Sequence, residues 1–326
     1  MPRTRRIQVP GEIHHVIARG LVDLKLFPGS RDYRAFIERL SRVIEESECL
    51  CYAWCLMPTH YHLVLRPTET SLDSIMRRIN GSYAREYNKR HDRRGYLFAD
   101  RYKSRIVQDG TYFRELVRYV HLNPLRAGLV TSLTGLSGYL WSGHRALLGF
   151  DKSPWPAVDE TLSRFSPRGT ARARHVYRAF LAEGLAHGGS FDSIWEEIRA
   201  VAATPGGDSR FGDGSIVGEQ EFVREVRERR HEKQRKLKEL RANRPPLETL
   251  LTTCRTKHGI ADAGDLIRGR RPGRRIAREE FCYLAYRRYG YSLSEIADFL
   301  GIQSSPVYRL AMAGSARVQE HRSSAQ

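Results

Sequence analysis

The stretch Leu50–Leu65, LCYAWCLMPTHYHLVL, decides the fold of the first part of the chain. Leu50–Met57 and Tyr61–Leu65 are apolar runs with the length of buried strands, and Pro58-Thr59 between them is typical of a turn. The stretch therefore predicts two consecutive strands joined by a turn.

The segments on either side of this stretch alternate between strand and helix patterns. The predicted elements are strands over Glu12–Arg19 and Arg105–Gln108, and helices over Asp32–Glu46, Ser71–Asn88 and Thr111–Leu122. Pro124 is expected to end the last helix, because its ring cannot continue one. The order β-α-β-β-α-β with an extra helix predicts an α+β, ferredoxin-like (split βαβ) fold, an antiparallel sheet with helices on one face.

After about residue 140 the patterns become helical. We predict an α+β domain over residues 1–135, a mostly helical extension over 136–245 and a helical domain over 246–326. The extension is predicted to hold helices over Ala171–Ala186, Ser193–Ala203 and Glu219–Ala242, and a glycine-rich loop over Thr204–Gly218. In the last domain a capping box at Ser292–Glu295 and a turn at Gly301 predict a helix-turn-helix over about 292–312.

Charge indicates the class of partner. The 326 residues include 55 Lys and Arg against 37 Asp and Glu, a formal net charge of +18. Residues 1–130 carry +9, residues 131–220 carry −1 and residues 221–326 carry +10. Two basic lobes favour two surfaces for a polyanion such as nucleic acid. A basic protein without a specific partner is the alternative.

Apolar runs and cysteines indicate the compartment. No run approaches the ~18 apolar residues of a membrane span, and Met1–Pro10 has no apolar segment behind it that would make it a signal peptide. The five cysteines are odd in number and include no CxxC pair, so we expect a reducing, cytoplasmic setting. Cys49, Cys51 and Cys55 are expected to be buried thiols, because their spacing fits no common zinc pattern.

His60 and His62 are two residues apart on a predicted strand. Side chains at this spacing point to the same face of a sheet, so both imidazoles can bind one divalent metal. Two incidental histidines on a wet sheet face are the alternative. His14, His15, His91 and His121 are assigned no catalytic role, and only one of His14 and His15 can face the site.

Tyr119 and Asn123 are one helical turn apart and share a helix face. A tyrosine hydroxyl beside a metal-bound phosphate can attack phosphorus and form a covalent phosphotyrosine. The Asn123 side-chain oxygen can reach the same metal. A packing role for Tyr119 is the alternative.

Four motifs together resemble the single-tyrosine HUH (IS200-like) transposases, and most closely the REP-associated tyrosine transposases. They are Ala18-Arg-Gly20, MPTHYHLVL from Met57, Leu97-Phe-Ala-Asp-Arg-Tyr-Lys-Ser104 and RYVHLNPLRAGLV from Arg118. The resemblance runs from about Ile13 to Val130.

This resemblance implies a metal-dependent reaction on DNA in a bacterial, nucleoid-associated protein. It implies Mg²⁺ or Mn²⁺ on His60, His62 and Asn123, and Tyr119 as the nucleophile that leaves a 5′-phosphotyrosine on cleaved single-stranded DNA. Family members recognise imperfect hairpins. Arg19, Arg101 and Lys103 match positions expected to contact the DNA backbone. Relatives include dimers with shared sites and monomers, and we expect a monomer here.

The C-terminal region resembles, more loosely, the duplex-DNA-binding domain of the bacterial replication initiator, over about Arg275–Ala313. The arginine run Arg268, Arg270, Arg271, Arg274, Arg275 and Arg278 precedes the predicted helix-turn-helix. The residues expected to contact DNA are Arg274, Arg275, Ser304, Ser305, Tyr308 and Arg309.

Two other functions remain open at this point. One is a catalytically silent regulator that binds hairpin DNA. The other is a zinc hydrolase using His60, His62 and His91, which lacks a carboxylate base near these histidines in the sequence.

Overall fold

A sheet forms the centre of the N-terminal part of the chain in the computed structural model, which describes residues 11–186, 216–262, 264 and 272–323. The strands are β1 (Ile13–Arg19), β2 (Leu50–Met57), β3 (His60–Arg66), β4 (Lys103–Val107) and β5 (Ile216–Val217). Their order is β2-β3-β1-β4-β5. The pairs β2–β3, β3–β1 and β1–β4 are antiparallel, which confirms the predicted ferredoxin-like topology.

Strand β5 was not predicted. Ile216 and Val217 fall in the segment expected to be a loop, but they pair in parallel with Ile106 and Val107 of β4 and make the sheet mixed. The pairing covers an edge of β4 whose backbone groups would otherwise lack partners. The rest of that expected loop, apart from Gly218, and the helix predicted over Ser193–Ala203 lie outside the described residues.

Two helices cover one face of the sheet. Helices α1 (Ser30–Glu46) and α2 (Leu72–Arg90) pack with the side chains of the sheet that alternate onto this face, among them Val16 of β1 and Tyr61 and Leu63 of β3. The alternation of the strands thus sends Tyr61 to this core and the two histidines beside it to the other face.

The other face is also covered, so the expectation of helices on one face only is wrong. Helix α3 (Thr111–Arg126) packs there with Tyr52, Cys55 and Val64. The physical reason lies in β2, which is apolar at every position and therefore has a face to bury on each side. The shorter helices on this side are α4 (Leu133–Gly138), α5 (His144–Leu148) and α6 (Val158–Ser163), and α7 (Thr170–Ala186) follows.

Helix α3 continues through Pro124 to Arg126, whereas the sequence suggested an end at Leu122. Proline lacks the N–H that would bond the carbonyl oxygen of Val120. The Nδ2 of Asn123 lies 3.5 Å from that oxygen and donates to the carbonyl oxygen of Tyr119 at 2.8 Å. This side chain compensates for the missing donor, so the last turn stays helical.

The described chain divides into two compact units, Met1–Arg230 and His231–Gln326. The boundary falls inside helix α8 (Gln220–Ala242). The division into residues 1–135, 136–245 and 246–326 stays a prediction. Among the described residues, no helix has the length and apolarity to cross a membrane.

The second unit is helical. After α8 it contains α9 (Leu247–Lys257), α10 (Pro272–Tyr283), a π-helical turn (Leu284–Arg288), α11 (Leu293–Leu300) and α12 (Ser304–Ser323). The predicted capping box is present, with Ser292 and Glu295 bonded reciprocally at the start of α11. Gly301 ends α11 at a φ of 64°, a left-handed conformation that favours glycine. Phe281, Ile296 and Val307 are fully buried in the core of this unit.

Candidate metal and tyrosine site

His60 and His62 lie at the beginning of β3 and project from the sheet face that α3 covers. Their ring centroids are 5.2 Å apart. In the strand register His60 is opposite Arg19 and His62 is opposite Ile17 of β1. The alternation predicted from the sequence thus brings the two imidazoles together.

The hydrogen bonds of these two rings use Nδ1 and leave Nε2 of each ring for a ligand. His60 Nδ1 lies 3.2 Å from Thr59 Oγ1, and His62 Nδ1 lies 3.0 Å from Nε2 of His15. Among the described residues, no hydrogen bond involves Nε2 of His60 or of His62. Each ring is therefore held through Nδ1 and can offer Nε2 to a metal.

Both rings are neutral at physiological pH. Burial, with the positive charge of Arg19 acting in the same direction, lowers the pKa of His60 to about 4. Burial lowers the pKa of His62 well below its usual value, and the neighbouring His15 and His60 rings act in the same direction. Metal ligation requires the neutral form of an imidazole, and the lowered pKa values favour that form.

Tyr119 lies on α3 beside the His62 ring and is half-buried. Its ring centroid is 5.4 Å from that of His62 and 5.9 Å from that of His15, both edge-on. The guanidinium of Arg126, two turns further on, lies 5.4 Å from the centre of the tyrosine ring. The structure thus brings Tyr119 next to His62.

Asn123 lies one turn after Tyr119, and its Nδ2 bonds the Tyr119 carbonyl oxygen at 2.8 Å. That hydrogen bond uses Nδ2 of the amide as the donor and leaves Oδ1 able to coordinate a cation. Two imidazole nitrogens with one amide oxygen suit a divalent metal that keeps water or substrate in its other positions. In the described part of the chain, no group of three or more His, Cys, Asp or Glu could hold a metal ion.

One family model matches the part of the chain that carries this geometry. Residues 13–123 match the family model described as "Transposase IS200 like". This part of the chain is similar to IS200-like transposases. A solved REP-associated tyrosine transposase bound to a REP hairpin is similar at 15% identity and a TM-score of 0.39, over 48% of this chain and 97% of that chain. No curated protein matches the sequence.

Basic side chains lie near the candidate site. Arg19 ends β1 opposite His60, and Lys103 begins β4 opposite Ile17, on the same face as His62. Arg19, Lys103 and the nearby Arg101 are all exposed. They are therefore accessible to an anionic ligand, and their contact with DNA stays a prediction.

Sequence reasoning missed two residues of this site. His15 had been given no role, yet it is buried against His62 and Tyr119. Arg105 of β4 pairs with His15 across the sheet. Burial lowers the pKa of Arg105, and its interaction with the Tyr119 hydroxyl opposes that shift. Strand alternation places His15 and Arg19 on one face, but only the register shows which strands they meet.

The other histidines lie elsewhere. His14, on the opposite face of β1, bonds Ser104 at 2.9 Å. His91 bonds Asp32 at 2.9 Å, beside α1 and α2, which cover the face of the sheet away from His60 and His62. A zinc hydrolase site built from His91 and the two site histidines is therefore wrong. His121 lies on the far side of α3, with its Nδ1 2.8 Å from the Tyr177 hydroxyl.

The C-terminal candidate residues lie in the second unit. Arg274 and Arg275 are in the first turn of α10, where Arg275 bonds Glu279 at 3.0 Å. Ser304 begins α12, and Ser305 follows it in the first turn. Tyr308 packs edge-on against Tyr286, and Arg309 is exposed. Arg268, Arg270 and Arg271, as well as the side chain of Ser305, lie outside the described residues.

The cysteines are buried thiols, as expected. All five are free and buried. Burial raises the pKa of Cys49 to about 12 and also raises that of Cys55. These thiols are therefore protonated and act as small apolar side chains.

Proposed function

We propose that the transposase domain cleaves and rejoins single-stranded DNA beside hairpins, with Mg²⁺ or Mn²⁺ as cofactor and Tyr119 as nucleophile. The observation that carries the proposal is the meeting of His60, His62 and Tyr119 on one sheet face of one chain. His60 Nε2, His62 Nε2 and Asn123 Oδ1 would hold the metal. When bound, the metal would offset the charge that develops on the scissile phosphate.

The Tyr119 hydroxyl performs the covalent step in this proposal. Its oxygen attacks phosphorus and loses its proton, the bond from phosphorus to the 3′ oxygen breaks, and the departing 3′ oxygen takes up a proton. The product is a 5′-phosphotyrosine with a free 3′-hydroxyl. Attack by a 3′-hydroxyl on this ester reverses the step and rejoins strands without an external energy source.

Arginines beside Tyr119 favour this chemistry. Arg126 lies against the tyrosine ring and the buried Arg105 interacts with its hydroxyl. Positive charge near a phenol stabilises the phenolate form and so makes a stronger nucleophile at neutral pH. Arg19, Arg101 and Lys103 at the open side would bind the DNA backbone.

A monomer is sufficient for this reaction. Tyr119 lies beside the histidines of its own chain, so no tyrosine from another copy is needed to complete the site. We propose that one chain carries a complete active site in the protein that acts on DNA.

The second unit is proposed to bind duplex DNA. Helices α11 and α12 are joined by the short turn Gly301–Gln303, which supports a helix-turn-helix with α12 as the recognition helix. Arg309 is exposed on α12 and suited to a phosphate. Arg309→Ala should weaken duplex binding about equally for all sequences and lower the salt slope by about 1. An unchanged slope would refute this role for Arg309.

The test of the proposed reaction is a covalent DNA adduct. The protein is incubated with end-labelled hairpin oligonucleotides from the genome that encodes it, with Mn²⁺, and resolved on a denaturing gel. We expect a shifted band that Tyr119→Phe abolishes and that the matched control Tyr112→Phe, on the same helix, retains. Tight hairpin binding with no adduct under any metal condition would instead identify the silent regulator.

A further inference from the structure

His15 makes a direct contact with one of the two site histidines. Its Nε2 lies 3.0 Å from Nδ1 of His62, and the two rings are nearly parallel, with centroids 5.3 Å apart and an interplanar angle of 17°. His15 is 1% exposed and His62 is 3% exposed. At this burial and distance the contact is a hydrogen bond shielded from water, and it fixes the orientation of both rings.

We propose that His15 is a positioning residue, which accepts a hydrogen bond from the Nδ1–H of His62 and thereby keeps the His62 Nε2 lone pair directed into the site. The proposal rests on the proposed function, because it concerns the same metal position. His15 would not touch the metal or the DNA; it acts through His62.

The direction of this hydrogen bond follows from which nitrogen of His62 keeps a lone pair in each of the two tautomers. Two neutral imidazoles share one hydrogen between His15 Nε2 and His62 Nδ1. If His15 were the donor, the hydrogen of His62 would sit on Nε2 and block the only ring nitrogen that faces the site. If His62 is the donor, its Nε2 carries a lone pair. Only the second arrangement makes His62 a ligand, and it parallels the outer partners that orient metal-bound histidines.

The His15 ring also contacts Tyr119, the proposed nucleophile. His15 meets the ring of Tyr119 edge-on, with centroids 5.9 Å apart. One side chain therefore contacts both the strand that carries the metal ligands and the helix that carries the tyrosine. A change at His15 should alter the metal position before it alters DNA binding, because exposed Arg19, Arg101 and Lys103 are available to the DNA without it.

His14 offers a matched control on the same strand. It is 4% exposed, lies on the opposite face of β1 and bonds Ser104 at 2.9 Å. His14→Phe therefore removes a buried histidine of similar surroundings without touching His62. His15→Phe removes the acceptor but keeps a flat ring, and His15→Gln keeps an acceptor oxygen.

The first experiment reads the position of the hydrogen in the full-length, metal-free protein. Long-range ¹H–¹⁵N correlation spectra of histidine-labelled protein, with His62 assigned through His62→Gln, distinguish the two tautomers. We expect the Nδ1–H form of His62 in the unmodified protein and in His14→Phe, and loss of that preference in His15→Phe. An Nε2–H form of His62 in the unmodified protein would overturn the proposal, and so would an unchanged tautomer in His15→Phe.

The second experiment measures Mn²⁺ binding by titration calorimetry without DNA. His15→Phe should lower the affinity by about 10–100-fold, the usual effect of removing an outer partner of a ligand histidine. His15→Gln and His14→Phe should stay close to the unmodified protein. Equal affinity in His15→Phe and the unmodified protein would overturn the proposal.

The two experiments separate the inference from the proposed function. Absence of Mn²⁺ binding in the unmodified protein would refute the metal-dependent reaction, whereas the tautomer measurement would still decide whether His15 orients His62. Comparable losses in His15→Phe and His14→Phe, with lowered thermal stability in both, would mean that His15 only fills space and would overturn the positioning role.

Discussion

Helix α3 separates two clusters built from the same kinds of side chain. On one side the site cluster contains His15, His62 and Tyr119. On the other side the brace cluster contains His121, His144 and Tyr177, in which the Tyr177 hydroxyl lies 2.8 Å from Nδ1 of one histidine and 2.7 Å from Nδ1 of the other. Both clusters place a tyrosine beside two imidazoles, yet the two tyrosines differ in their exposure.

The difference lies in access and in the partners of the hydroxyl. Tyr177 is fully buried, and burial raises its pKa well above the usual value. Its hydroxyl can donate to one histidine and accept from the other, so its bonding capacity is used within the protein. Tyr119 is half-buried at the edge of a basic surface. Composition alone therefore does not distinguish the two tyrosines, whereas exposure and nearby positive charge do.

The brace cluster holds the tyrosine helix in position from behind. His121 is two residues from Tyr119, and the adjacent Arg118 is buried and donates to the Phe180 carbonyl oxygen of α7 at 3.1 Å. Arg118 also pairs with Glu115 in the core. Helix α7 lies beyond the part of the chain that matches the transposase family. The extension thus fixes α3 against the sheet, with Tyr119 facing the histidines.

The largest expected difference between the clusters is in adduct formation. Tyr119→Phe should reduce the covalent DNA adduct to the uncatalysed background, because the attacking oxygen is absent. Tyr177→Phe should keep the adduct but lower the free energy of unfolding by about 1–3 kcal/mol, because two buried imidazoles lose a partner. Denaturing gels and urea titrations of both variants measure this. The opposite pattern would exchange the roles of the two clusters.

A smaller effect is expected in the free energy of unfolding at acid pH. Burial lowers the pKa of His144 to about 4, with Arg178 and Arg145 acting in the same direction. The unfolded chain binds this proton near the reference pKa of about 6.5, so the contribution to stability is complete above that pH and is lost as the pH falls towards 4. The loss corresponds to roughly 3 kcal/mol.

The matched variant for this effect is His144→Phe, which cannot titrate. Urea unfolding between pH 7 and pH 4 should show a shallower loss of stability in the variant than in the unmodified protein. Parallel curves for the two proteins would contradict a neutral, buried His144.

The smallest expected effect is the change in unfolding free energy caused by a substitution at Gly143, beside the brace cluster. A Cβ there would lie 2.9 Å from the Trp54 ring and 3.2 Å from His121 Nε2. Gly143→Ala should therefore destabilise the protein by about 1–3 kcal/mol through overpacking. Gly138→Ala is the control, since a Cβ at Gly138 meets no atom within 4 Å. Equal unfolding midpoints in urea for the two variants would show that the residues around Gly143 shift to accommodate the added methyl group, and would contradict the expected overpacking.

Some of this site could be predicted from local sequence, because its geometry is local. The two-residue spacing of His60 and His62 defines a shared strand face, and the four-residue spacing of Tyr119 and Asn123 defines a shared helix face. His15 could not be assigned in this way. Its partner is set by the register between β1 and β3, which brings together residues 47 positions apart in the chain.

The same limit applies to the fold. The β-α-β-β-α-β order followed from periodicity, which is a property of each segment. The second buried face and strand β5 depend on contacts between distant segments, such as Ile106 with Ile216. Pro124 misled the prediction for a different reason: the Asn123 side chain supplies the donor that proline lacks.

The most direct measurement is the location of the DNA on the protein. The adduct formed with a hairpin oligonucleotide and Mn²⁺ is digested with protease and nuclease, and the modified peptide is sequenced by mass spectrometry. We predict a nucleotide esterified to Tyr119 and to none of the other tyrosines. A nucleotide on Tyr177 or on another residue, or the absence of any modified peptide while hairpin DNA binds tightly, would contradict a reactive tyrosine in the site cluster.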